Sequence, residues 1–233
     1  MEPGDAAAVE QLFDAVAPSY DRLNDLLSLG LHRHWKRQLL AMLRPQPGEH
    51  WLDLCCGTGD LALLLARAVR PGGTVTGLDS AAAPLQRAEQ RLSAEPWLPL
   101  SFRKADALQT GCAADSVDGV VMAYGLRNLS DPALGLAEIH RVLRPGGRAG
   151  ILDFNRLASD APAARFQQLY LRRIVVPVAS AAGLKEQYAY LEKSLQRFPG
   201  GDEQERLARA AGFQQATHRT LSADQMGILI LQA

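Results

Sequence analysis

Between residues 50 and 155, short apolar runs alternate with stretches whose apolar positions recur at helical spacing. That alternation predicts strands and helices in turn, as in a mostly parallel sheet covered by helices on both faces. His50–Leu54 reads as the first strand and runs into Cys55-Cys56-Gly57-Thr58-Gly59. A helix follows from Asp60 to about Val69, stopped by Pro71-Gly72-Gly73. The second strand is Thr74–Leu78 with Asp79 at its end; Ser80 is placed to cap the next helix, with Pro84 near its start. Leu100–Lys104 is the third strand, ending at Asp106, and Val117–Met122 is the fourth. Asp131-Pro132 opens a helix to Leu143, Pro145-Gly146-Gly147 ends it, and Arg148–Phe154 is the fifth strand.

The flanks break this rhythm. Two helical stretches, about Ala6–Val16 and Arg33–Leu43, precede the sheet and bracket a Tyr20–Leu31 segment. Pro162–Gln196 is mostly helical, and a helix over Asp202–Ala211 leads to Phe213–Leu221 and Gly227–Leu231, a terminal antiparallel pair. The chain therefore reads as a single domain over residues 1–233: a helical cap (1–45), a ligand-binding core (46–155), a helical cover (156–200) and a terminal helix with its strand pair (201–233).

Composition narrows the classes. Lys plus Arg and Asp plus Glu both number 25, so no basic field exists to hold nucleic acid, and 6% aromatics offer little base-stacking surface. Cys55, Cys56 and Cys112 form neither a disulfide framework nor a zinc ligand set, and no metal site is expected. The acidic start Met1-Glu2-Pro3-Gly4-Asp5 is unlike a signal peptide, and the apolar run Ile174–Leu184 is too short to span a bilayer. A soluble, cytoplasmic protein is expected, with association at a membrane surface left open.

The loop after the first strand carries the chemistry. Gly57 and Gly59 let a ligand approach the backbone, and the following helix start favours an anionic group. With Ala62 the loop satisfies G-x-G-x-x-G/A, which alone would serve NAD. Asp79 can accept both hydroxyls of a ribose, and Asp106 an adenine amino group. Asp53, Asp79 and Asp106 gathered at the strand ends suit a cationic cofactor, whereas the NAD pyrophosphate would meet too much negative charge.

Strand–Asp53…Gly57-Thr58-Gly59–helix, followed by Asp79 and Asp106-Ala107, resembles the class I S-adenosylmethionine (SAM)-dependent methyltransferases. Two segments narrow the resemblance. Tyr20-Asp21-Arg22-Leu23-Asn24 through Ser28, His32 and Trp35 is similar to the N-terminal signature of the ubiquinone/menaquinone C-methyltransferases. Gly125-Leu126-Arg127-Asn128 and Arg141-Val142-Leu143-Arg144-Pro145-Gly146-Gly147 look like the same family, and the likeness runs from about residue 9 to the end. Leu152-Asp153-Phe154-Asn155 replaces the Glu-x-Ser of the common bacterial form, and Ala123-Tyr124 stands where members often carry Ser and an aromatic. Tyr124–Asn128, Leu152–Phe154 and Glu186–Leu191 resemble the phylloquinone branch.

The resemblance implies a Rossmann-like α/β fold with a seven-stranded, mostly parallel sheet and an antiparallel C-terminal strand. It implies SAM contacts at Tyr20, Asp53, Gly57, Thr58, Gly59, Asp79, Ser80, Asp106, Ala107 and, through its backbone, Ala123. It also implies a lipid quinol substrate near His32, Tyr124, Asn128 and Asp153, with Arg127 as the catalytic, charge-stabilising group. A structural salt bridge is the other reading of Arg127. The implied reaction is C-methylation of a prenylated naphthoquinol, demethylphylloquinol, with demethylmenaquinol or a 2-polyprenyl-benzoquinol as alternatives. Arg165–Ser180 reads either as an apolar cover for the isoprenoid tail, with Arg172-Arg173 facing lipid headgroups, or as a cap helix packed on the sheet. Homodimers are a further implication, against which near-zero net charge sets no barrier. An NAD(P)-dependent oxidoreductase and a catalytically silent SAM-binding scaffold are the rival classes.

Overall fold

The computed structural model describes Glu10, residues 30–156, Arg173, Tyr190 and residues 193–233. In chain order the described elements are α1 (Leu31–Leu43), β1 (His50–Leu54), α2 (Asp60–Ala68), β2 (Thr74–Asp79), α3 (Ala82–Leu92), β3 (Leu100–Lys104) and β4 (Val117–Ala123). A 3-10 turn (Leu126–Asn128), α4 (Pro132–Val142), β5 (Leu143–Phe154), α5 (Gly201–Ala210), β6 (Gln215–Leu221) and β7 (Met226–Gln232) complete them. The expected helices at Ala6–Val16 and Pro162–Gln196, and the Arg165–Ser180 cover, fall outside the described residues apart from isolated positions.

The seven strands form one sheet in the order β3-β2-β1-β4-β5-β7-β6. Strands β1 to β5 are parallel to one another, and β7 runs antiparallel between β5 and β6. The order reverses between β1 and β4, which opens a crevice beyond their carboxyl ends. Leu52, Leu54, Met122, Ile139 and Phe213 belong to one buried cluster, and Trp35, Leu39, Leu65, Val121 and Ile228 to a second. α1 runs from the carboxyl edge of the sheet to the amino edge: Trp35 donates to Ser222 in the β6–β7 turn at 2.7 Å, and Arg148 at the start of the β5–β7 ladder donates to the Leu43 carbonyl.

Several boundaries differ from the sequence reading. The predicted cap Ser80 lies one residue early: Ala81 caps α3, and the Ala81 N–H donates to Asp79 Oδ1 at 2.9 Å. α4 stops at Val142, before Pro145-Gly146-Gly147. β5 begins at Leu143, paired with Val117, and a register shift accommodates the intervening residues before Arg148 meets Gly119. Gly146 and Gly147 stay in the sheet region because they exchange hydrogen bonds with Ala233 at 3.1 and 2.9 Å. Turn-forming residues here make a bulge because a neighbouring strand supplies partners. Asp131 caps α4 as expected, accepting from the N–H groups of Ala133 and Leu134.

Gly119 shows how closely β1 and β4 meet, since a Cβ there would lie 2.4 Å from the buried ring of Trp51. Arg148 covers the same indole with its guanidinium 5.0 Å from the ring centre, so the ring has little room to retreat. Gly119→Ala is expected to destabilise the protein by about 1–3 kcal/mol, as other overpacked cores do. Urea unfolding should show a lower midpoint with an unchanged m-value.

Candidate active site

The β1–α2 loop takes its shape from three left-handed positions, Cys55 (φ 55), Gly57 (φ 54) and Gly59 (φ 82). A Cβ on Gly59 would come within 2.8 Å of Phe102 and 3.1 Å of Ala88, so this glycine lets the loop pack against β3 and α3. A Cβ on Gly57 would meet nothing within 4 Å, because that residue faces open space above the sheet. The loop is tied to β2 twice: the Cys56 N–H donates to the Leu78 carbonyl at 3.0 Å, and the Gly57 N–H to Asp79 Oδ2 at 2.8 Å.

Asp79 thus accepts a backbone N–H on each oxygen, from Gly57 and Ala81. A carboxylate has about four acceptor directions, more than these two bonds use. Asp106 spends Oδ1 on the Leu108 N–H at 2.8 Å, in a tight turn after β3. Gly57, Asp79, Ser80, Asp106, Ala107 and Ala123 line one cavity of about 420 Å³, together with Tyr124, Gly125 and Asn128. Pro84, Leu108 and Leu129 give it apolar walls. Flat apolar walls, a diol-accepting carboxylate and a second acid at the rim suit a nucleoside.

The field in the cavity is negative. Burial, and then the carboxylates of Asp79, Asp53, Asp106 and Asp153, push the Cys55 thiol well above its ordinary pKa. A thiolate is disfavoured there, and a cation is favoured for the same reason. SAM carries a sulfonium, a ribose diol and an adenine. The donor and acceptor set of the cavity fits all three parts.

Other predicted residues lie elsewhere. Asp53 is 1% exposed, is not among the cavity-lining residues, and accepts the Ala62 N–H beneath the loop. Its Oδ2 has no hydrogen-bond partner among the described residues. Burial outweighs the attraction of Lys36 and the Ala62 bond, and with repulsion from Asp79 and Asp60 it raises the Asp53 pKa to about 8. Thr58 is also buried, and its carbonyl and hydroxyl accept from Arg91 at 2.9 and 3.2 Å. Asp60 at the start of α2 pairs with Lys36 and Arg91, and the two cations overcome burial to hold its carboxyl well below the ordinary range. These groups, with Gly59, brace the loop from behind.

On the acceptor side, Tyr124 and Asn128 line the cavity, whereas His32 is buried on α1 and is not among the lining residues. Arg127 and Asp153 also stand behind the wall, in an ion pair whose side chains are 10% and 4% exposed. That ion pair matches the salt-bridge reading, one of the two that the sequence leaves open for Arg127. Tyr20 is outside the described residues. Sequence reading missed Cys55, Leu108 and Leu129. Cys55 is two residues before Gly57, and the leucines follow acidic or turn positions at strand ends, so their position was the available signal.

A SAM-dependent methyltransferase from Aquifex aeolicus matches the fold with a TM-score of 0.62 at 16% identity, over 84% of this chain and 88% of that one. A Thermotoga maritima SAM-dependent methyltransferase, described as a possible histamine N-methyltransferase, gives 0.66 at 15% identity, over 95% and 98%. At such identities the likeness concerns the fold alone. The chain therefore has the fold that these SAM-dependent methyltransferases share.

The sequence pattern of the ubiE/COQ5 methyltransferase family matches residues 1–230, and the chain belongs to that family. Among its relatives, the 2-phytyl-1,4-naphtoquinone methyltransferase of Synechococcus elongatus is 48% identical over 230 residues, 97% of each chain. The protein of that name in a Nostoc species is 46% identical over 224 residues, 96% of this chain and 97% of the relative. The chloroplastic 2-phytyl-1,4-beta-naphthoquinone methyltransferase of Arabidopsis thaliana is 41% identical over 223 residues, 94% of this chain and 85% of the relative. Membership in a methyltransferase family sets aside the oxidoreductase and the silent scaffold.

Two outcomes follow for the carboxylates. Asp79→Ala is expected to weaken SAM binding by about 1.5–3 kcal/mol in calorimetric titration, the range for hydrogen bonds to a charged group. Asp53, with a folded pKa near 8 against 3.8 when free, binds a proton in the native state that the unfolded chain has lost. Stability from this group is therefore complete at acid pH, falls from about pH 4 upward and is lost through pH 8. Asp53→Asn should melt higher than the parent protein at pH 8.5, with the gap closing toward pH 4.

Proposed function

We propose that this enzyme transfers the methyl group of SAM to a ring carbon of 2-phytyl-1,4-naphthoquinol, a step in phylloquinone synthesis. The observation that carries the reading is that Tyr124, Gly125 and Asn128, from the segment resembling the phylloquinone branch, share one cavity with Gly57 and Asp79. The substrate assignment draws on relatives of that name at 41–48% identity over nearly the whole chain.

When bound, SAM supplies a methyl group that is already a strong electrophile. The residues of the chain then have three tasks: to hold the cofactor, to place an electron-rich carbon in line with the methyl, and to keep water out. Asp79 would take the ribose hydroxyls and Asp106 the adenine edge, with Gly57 leaving room for the backbone to approach. Ala123 ends β4 with a small side chain at the cavity, and Gly125 lets the chain pass close to Cys55 and Met122, each 2.8 Å from where its Cβ would lie. Holding two reactants in line lowers a barrier by roughly 7–11 kcal/mol. Tyr124 offers an aromatic residue to a fused-ring acceptor, and Asn128 is fixed by hydrogen bonds to the Tyr124 carbonyl at 2.9 Å and from the Tyr190 hydroxyl at 3.1 Å.

The acceptor is the reduced quinol. Loss of a hydroxyl proton places electron density on the adjacent ring carbon, whereas the carbon of the oxidised quinone is itself electrophilic. A phytyl-bearing substrate resides in a membrane, so the enzyme works in the cytoplasm at a membrane surface. Among the described residues no helix is long and apolar enough to cross a membrane.

Methyl transfer to demethylphylloquinol kept reduced, compared with demethylmenaquinol and a benzoquinol, tests the assignment. The phytyl naphthoquinol should give the highest kcat/KM, with the new methyl on carbon by mass and proton spectra. The oxidised quinone should give no product when reductant is excluded. Equal turnover of quinone and quinol contradicts the mechanism, and preference for the benzoquinol contradicts the substrate.

A further inference from the structure

We infer that the Arg127–Asp153 ion pair is a positioning device, which locks Tyr124 in a left-handed backbone conformation and thereby sets the cavity wall where donor and acceptor meet. The inference rests on the methyl-transfer reading above and assigns Arg127 a role through residue 124, with no contact to substrate.

Tyr124 has φ 63, a conformation that a large side chain seldom adopts without support. That support is visible on every polar group of its backbone. The Tyr124 N–H donates to the Leu152 carbonyl at 2.7 Å, which fixes the residue to β5. Its carbonyl accepts from Arg127 Nη1 at 3.0 Å and from Asn128 Nδ2 at 2.9 Å. The guanidinium carbon of Arg127 also lies 5.9 Å from the Tyr124 ring centre and 5.2 Å from that of Phe154. One cation therefore holds residue 124 by both carbonyl and ring.

Asp153 holds the cation in turn. It pairs with Arg127 Nη1, accepts the Arg127 backbone N–H on Oδ2 at 3.2 Å, and accepts the Phe154 N–H on Oδ1 at 2.8 Å. Asp153 is 3% exposed, so its charge is committed to this cluster. Tyr124 and Gly125 line the cavity, and Arg127 and Asp153 stand one layer behind. Two buried charges thus converge on a single strained backbone unit at the wall of the site, an arrangement in which strain serves placement.

Glycine takes up a left-handed conformation freely, so at position 124 it has no need of the clamp. Lysine in place of Arg127 keeps the charge and loses the planar fork that reaches carbonyl and carboxylate together. A double-mutant cycle between positions 124 and 127 separates the possibilities. Arg127→Lys should lower kcat by about tenfold or more while SAM affinity changes less than about twofold. In the Tyr124→Gly background the same substitution should change kcat by less than about threefold. Without substrate, the amide proton of residue 124 should exchange about tenfold faster in Arg127→Lys, with little further change in the glycine background.

Asp153→Asn should reproduce both patterns, and it serves where Arg127→Lys folds poorly. Equal kcat losses in both backgrounds would assign Arg127 to substrate contact and overturn the inference. Loss of SAM affinity and melting temperature in step with kcat would make the pair merely structural and overturn it too. The amide exchange needs no methyl acceptor. If the parent protein fails to methylate the naphthoquinol, the functional reading falls while the exchange result still judges the clamp.

Discussion

Four carboxylates, from Asp53, Asp79, Asp106 and Asp153, act together on the Cys55 thiol at the carboxyl ends of the central strands, and placing that much acid at one edge is the constraint around which the site is arranged. Each is managed differently. Asp79 is stabilised by two backbone N–H groups, and Asp106 by one beside solvent. Asp153 is neutralised by Arg127. Asp53, deepest of the four, is left protonated near neutral pH. Asp79 and Asp106 line the cavity beside the paired charges of Lys104 and Glu10, and a cationic nucleoside answers these carboxylates where a pyrophosphate would not.

The same arrangement divides the loop into a working face and a bracing face. Gly57 opens to the cavity, while Thr58, Gly59 and Asp60 turn back toward Arg91, Phe102 and Lys36. Lys36 comes from α1, so the helix that precedes the sheet helps fix the N-terminus of α2. Left-handed backbone at Cys55 and Tyr124 marks the two sides of the cavity. Each non-glycine left-handed residue costs about 1–3 kcal/mol, and such strain persists only where neighbours over-determine it.

Much of this was legible in the residues. β1 and β3 fall where short runs end in turn chemistry, and Asp53 in β1, Asp79 at the end of β2 and Asp106 after β3 lie at one edge because parallel strands put all carboxyl ends together. What could not be read was orientation. Asp53, Thr58 and Gly59 share a motif with Gly57, yet which of them meets a ligand depends on the loop's left-handed positions, which α3 and β3 impose from outside. The Pro145-Gly146-Gly147 stop became a bulge because Ala233, distant in sequence, supplies its partners. The salt bridge left open for Arg127 had no partner that the sequence could name, because Asp153 arrives from another strand.

The carboxylates at the cavity select a sulfonium nucleoside over a pyrophosphate. Calorimetric titration of the protein with SAM and, separately, with NAD should show one SAM site per chain and no measurable heat of binding from NAD. Binding of NAD as tight as SAM, or no binding of SAM to the folded protein, would contradict this selection.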